Sequence, residues 1–82
     1  MTAETVLVDA VLRVVRDALS PTHPRPIGRE TRLAEDLGAT GADLAYLADA
    51  LREELGVEVG RGEAGRWRTV GEAIDSCLAA LG

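Results

Sequence analysis

The sequence predicts an all-α fold, a small four-helix bundle in one domain over residues 1–82, with three main helices, one short third helix and a long first loop. Three observations predict it. Apolar residues recur at helical spacing in three separate stretches. The apolar content of 46% is almost wholly Leu, Val and Ala, with no Phe, one Trp and one Tyr. Small aliphatics at that spacing suit close helix packing better than a sheet sandwich. The periodic stretches are separated by segments rich in Pro or Gly, which cannot continue a helix. A chain this short buries only a modest share of its surface, so its core must be efficient.

The first helix starts at Thr2 or Glu4 and runs to about Leu19. Leu7, Val11, Val14, Val15 and Ala18 share one face, flanked by Val8 and Leu19, while Thr5, Asp9, Arg13 and Arg16 lie opposite. Its β-branched residues lower intrinsic helix propensity, so packing must hold it. Ser20 to Arg29 (SPTHPRPIGR) carries three prolines and a glycine and reads as a loop from one end of the bundle towards the other. Thr31 to Gly38 has room for one helical turn, with Leu33 and Leu37 as inward anchors and Gly38 as a left-handed stop. Thr40 followed by Asp43 reads as a capping box that opens the second main helix. Leu44, Leu47, Ala48, Leu51 and Leu55 form its buried stripe, and Ala42, Tyr46, Asp49 and Glu53 lie outward. Gly56 ends it. Val57 and Val59 are extended anchors, since one strand without a partner is not stable. Gly60 to Arg68 holds one short helix at most. Thr69 followed by Glu72 is a second capping box, and the last helix runs from Val70 to Leu81 with Ala73, Ile74, Cys77, Leu78 and Leu81 facing in and Glu72 and Ser76 facing out.

The formal net charge is −5, and all nine basic residues are Arg. An acidic surface disfavours nucleic acid and anionic membranes, because cation–phosphate contacts supply most non-specific affinity for both. Arg61, Arg66 and Arg68 around Trp67 therefore read as solvated charges. The N-terminus has no basic region ahead of an apolar run, and no apolar stretch reaches membrane-spanning length, so the expectation is a soluble cytoplasmic protein with a protein partner. A single cysteine, Cys77, excludes an intramolecular disulfide and falls on a buried stripe, where it acts as a small hydrophobe. His23 sits among prolines with no metal-ligand cluster around it. There is no phosphate loop and no nucleophile beside a base, so the chain is not an enzyme.

Several blocks resemble the acyl and peptidyl carrier protein family. Thr31-Arg32-Leu33 looks like the family's entry turn, and Glu35-Asp36-Leu37-Gly38 matches its E-D-L-G loop. Leu47, Leu51 and Leu55 match helix core positions. Gly56 to Val59 resembles its G-[IV]-x-[IV], and Thr69 to Ile74 its T-V-G-[DE]-[AL]-[IV]. The match runs from Thr31 to the C-terminus. It implies a bundle of acyl-carrier-protein type.

The resemblance also implies an attachment site. Counting forward from Gly38, or back from Leu47, puts Thr40-Gly41-Ala42 on the family's D-S-L, whose serine bears phosphopantetheine. Gly41 stands at the serine and has no side chain, so no arm attaches there. All three residues differ, which points to a natural loss. Thr40, Ser20 and Ser76 carry the other candidate hydroxyls, and Thr40 has a better use as a cap. In the family the outer face of this helix docks on basic patches of partner enzymes. Here Ala42, Asp43, Tyr46, Asp49, Arg52 and Glu53 would form that face, with Tyr46 and Arg52 at usually acidic positions; a solvated face is the other reading. Exposed Tyr and Arg are favoured interface anchors. Trp67 stands where the family has an aliphatic residue beside the acyl cavity. It either plugs that cavity or completes the core. The implied function is a non-enzymatic adaptor or regulatory subunit for an enzyme of polyketide, fatty-acyl or peptide natural-product biosynthesis, without a cofactor. The alternatives are a working carrier loaded at Thr40, and an unrelated small helical regulatory module.

Overall fold

Five helices follow one another along the chain: α1 (Ala3–Leu19), α2 (Leu33–Leu37), α3 (Gly41–Leu55), α4 (Arg61–Ala64) and α5 (Val70–Leu81). The computed structural model of the protein describes residues 3–19 and 27–81. Thr2, Ser20 and His23, with most of the expected first loop, lie outside them. The three long helices are the expected ones. The helical turn expected between Thr31 and Gly38 forms α2, and the short helix expected after Gly60 forms α4, so the bundle has two short helices rather than one.

The helix ends follow from local chemistry. Thr40 sits in extended conformation ahead of α3, and its Oγ1 accepts from the Asp43 amide at 3.1 Å while the Asp43 carboxylate accepts from the Thr40 amide at 2.9 Å. That reciprocal pair satisfies two amides with no intrahelical acceptor. Glu72 does the same for α5, accepting from the Thr69 amide at 3.1 Å and the Arg68 amide at 2.7 Å. Gly38 and Gly56 close α2 and α3 at φ 69° and 68°, the left-handed region that a Cβ makes costly.

α1 packs against α3 and α5, and α3 against α4. Leu7, Val11, Val14 and Val15 of α1 meet Leu44, Leu47, Ala48 and Leu51 of α3 and Val70, Ala73, Ile74 and Cys77 of α5 in one core. Val57 and Val59 are buried in it with no strand around them, as extended anchors. Two expectations for α5 are corrected. Leu81 is 59% exposed, and Ala79 and Ala80 beside it are exposed too. Helical period assigns a face, but burial needs an opposing element, and among the described residues none covers the last turn. Ser76 is half-buried rather than outward, because its Oγ accepts from the indole Nε1 of Trp67 at 2.9 Å.

The segment before α2 is stitched to the start of α5. Arg32 and Thr69 form an isolated antiparallel bridge, the Leu33 amide donates to the Arg68 carbonyl at 2.8 Å, and the Val70 amide donates to the Thr31 carbonyl at 2.9 Å. Gly71 completes the seam, its amide donating to the Arg29 carbonyl at 2.9 Å. A Cβ at Gly71 would lie 3.0 Å from that same carbonyl oxygen, which is backbone and cannot swing away. Gly71→Ala is therefore expected to destabilise the chain by about 1–3 kcal/mol, the usual cost of overpacking. Chemical denaturation checks this, and an unchanged midpoint would show that the seam can slide.

Candidate functional site

The site that the sequence singles out lies at the N-terminal end of α3. Gly41 is the first helical residue after the Thr40 cap and is exposed. A Cβ built on it would meet no atom within 4 Å. The space for a side chain is present; the hydroxyl is not. The neighbouring Thr40 is exposed, and its oxygen is the acceptor of the capping bond. Ala42, on the other side, is exposed as well.

An open cleft of about 560 Å³ runs beside Gly41. Ala39 and Thr40 contribute from just before α3 and Leu44 from its first turns, Gly65, Trp67 and Arg68 from the link between α4 and α5, Arg32 from just before α2 and Glu35 from α2 itself. Trp67 is both a wall of this cleft and a buried member of the core, 6% exposed. The core reading of Trp67 thus has direct support, and Leu33, Val59 and Ala64 are buried in the same cluster.

The six residues of the expected docking face do not stand alike. Tyr46 is 60% exposed, and Ala42, Arg52 and Glu53 are exposed. Asp43 is held in the capping box. Asp49 is half-buried and clasped from two sides, by the Arg61 guanidinium of α4 and, at 3.3 Å, by Arg52 of its own helix. This clasp was not visible in the sequence, because Arg61 lies beyond the turn at Gly56.

The hydrogen bond from Arg61 is the main reason that the Asp49 carboxyl is held below the usual carboxylate range, with the charges of Arg61 and Arg52 adding to it against some desolvation. An acid with a depressed folded value stabilises the fold above its unfolded value and stops doing so as pH falls through the folded one. The Asp49–Arg61 tie is therefore expected to persist through the ordinary carboxylate range and to open only at lower pH. Carboxyl carbon shifts would show the Asp49 midpoint rising towards the usual value in Arg61→Ala. An unmoved midpoint would assign the depression to something other than Arg61.

Burial pushes the Cys77 thiol up to about 11, with the Glu63 charge a lesser cause, so it stays protonated and unreactive at neutral pH. Among the described residues, no group of three or more His, Cys, Asp or Glu is placed to hold a metal ion. No described helix is long and apolar enough to cross a membrane.

Comparison with known proteins agrees with the bundle. The chain is 36% identical over 72 residues to the acyl carrier protein of Thermosynechococcus vestitus, covering 88% of each chain. It is 35% identical over 68 residues to that of a Sulfurovum species, covering 83% of this chain and 89% of the relative. It is 32% identical over 68 residues to that of Wolinella succinogenes, covering 83% and 88%. No protein-family profile matches the chain.

Proposed function

The chain belongs to the acyl carrier protein family, a family of carriers rather than enzymes, and we propose that it has lost the carrying step and kept the docking one. It acts as a non-enzymatic interaction subunit, an adaptor or regulator, for an enzyme of polyketide, fatty-acyl or peptide natural-product biosynthesis. The observation that carries this reading is Gly41. The family's phosphopantetheine hangs from a serine hydroxyl, and the residue at that place has no side chain while the backbone, cap and space around it are intact. The residues present therefore do not fit a covalent arm at position 41.

Docking is supported by what remains on the outside of α3. Tyr46 is a large, exposed ring on a helix that otherwise presents small or charged groups. Tyr and Arg are enriched among the residues that dominate protein interfaces. The net charge of −5 favours a protein partner over nucleic acid.

The test is the intact mass of the chain, as purified and after incubation with coenzyme A and a broad-specificity phosphopantetheinyl transferase. The expected mass is that of the bare polypeptide in both cases. A gain of one arm ends this reading, and peptide mapping of the arm to Thr40 would replace it with a carrier loaded one residue early.

A further inference from the structure

The outer side of α3 divides into two rows, because residues four apart stack above one another on a helix. Tyr46, Ala50 and Glu54 form the row that borders α1. Asp49 belongs to the row that borders α4, where Arg61 reaches it. The two rows offer a partner different things.

The α4-side row carries exposed Glu53 four residues on from Asp49, but the half-buried carboxylate of Asp49 is already committed. Asp49 is the carboxylate best placed there to meet a basic partner, and it already holds Arg61 and Arg52. A partner cation would have to displace a guanidinium that makes two hydrogen bonds to it. Asp43, nearer the helix start, is committed to the capping box. Attraction by a bare acidic helix is thus weakened from within the chain.

The α1-side row is built differently. Tyr46, Ala50 and Glu54 face Arg13, Val14 and Ala18 of α1 across a notch of about 110 Å³. Val14, Ala18 and Ala50 supply its apolar floor. Small-molecule sites occupy roughly 300–1,000 Å³, so this notch is sized for one aliphatic side chain rather than for a free ligand. Exposed charges flank it, Arg13 and Asp17 from α1 and Glu54 from α3. On α1 the same side continues through Ala10 to Val6, which is 54% exposed.

We propose that the chain docks through the α1–α3 seam centred on Tyr46, and that the seam takes a protein surface with a protruding aliphatic side chain, flanked by a carboxylate for Arg13 and a cation for Glu54. This rests on the docking reading above and deepens it by stating which side is used and the chemistry of the partner. Arg13 on one rim and Glu54 on the other favour one orientation of the partner, since reversal would set a like charge against each, and Asp17 beside Arg13 tempers that preference. Packing of the Tyr46 ring over the inserted side chain supplies the affinity.

The test titrates the isotope-labelled chain with two carrier-docking enzymes as probes, a broad-specificity phosphopantetheinyl transferase and a ketosynthase. Amide shifts are expected to concentrate at Arg13, Ala18, Tyr46 and Ala50. Tyr46→Ala is expected to weaken binding at least about tenfold, a step of about 1.4 kcal/mol, while Arg61→Ala changes it by less than about threefold. Tyr46 is exposed, so the spectrum of Tyr46→Ala also reports that the fold is kept. Shifts centred on α4, with Arg61→Ala disruptive and Tyr46→Ala neutral, overturn this inference alone. No shift with either probe overturns the docking reading and this inference with it.

Discussion

Gly41→Ser is expected to let the chain gain a single arm at residue 41 from coenzyme A and a broad-specificity phosphopantetheinyl transferase. The geometry makes the change permissive. A Cβ at this position meets nothing within 4 Å, and the residue is exposed at the mouth of the cleft. Its backbone is fixed by the capping box around it, so the new hydroxyl hangs from an ordered helix start. Serine also costs the helix less than glycine does, by a few tenths of a kcal/mol. Loading is expected to be incomplete, because Thr40 and Ala42 replace the acidic and leucine neighbours of the family's serine and Tyr46 alters the face beyond them. Intact mass gives the loaded fraction, and peptide mapping gives its place. A Gly41→Ser chain that stays folded and gains nothing would show that the loss extends past one atom into the surface the transferase recognises.

The fold was legible wherever a single helix or turn decides the outcome. Val70–Leu81 forms as the Thr69–Glu72 pair predicts, and Gly38 and Gly56 stop their helices as expected. The misreadings share a cause, which is that contact partners distant in sequence decide burial. Leu81 sits on the correct face of α5 but has nothing over it among the described residues. Ser76 looks outward by period, yet its hydroxyl meets an indole nine residues earlier. Gly71 gave no signal of need, because the atom that crowds its Cβ belongs to Arg29, on the far side of the seam.

At the candidate site the residue types can be read from the sequence, but the electrostatics cannot. That residue 41 has no side-chain hydroxyl is a property of the sequence. That Asp49 is clasped depends on α4 folding back against α3, which places Arg61 beside it. A helical projection draws Tyr46 and Asp49 together on one outer face. The structure separates them, because α1 and α4 flank that face on opposite sides and each takes its own row.

Trp67→Ala is expected to have the largest effect on stability. The side chain is 6% exposed, belongs to the core and donates its Nε1–H to Ser76 at 2.9 Å. Removing a buried Trp costs about 3–5 kcal/mol. A chain of this length holds in total only about 4–12 kcal/mol, so the variant is left marginal or unfolded. Ser76→Ala leaves the ring in place but takes the acceptor from its N–H, with an expected cost of about 1–3 kcal/mol. Trp67→Phe keeps an aromatic ring and removes the donor instead. The double variant Trp67→Phe, Ser76→Ala removes both partners, and is expected to cost less than the two single changes added together. Denaturation followed by helical circular dichroism measures all four, since the chain has no other tryptophan to report by fluorescence. Strict additivity would mean that the Trp67–Ser76 bond does not hold this wall, and that packing alone closes the core beside the cleft.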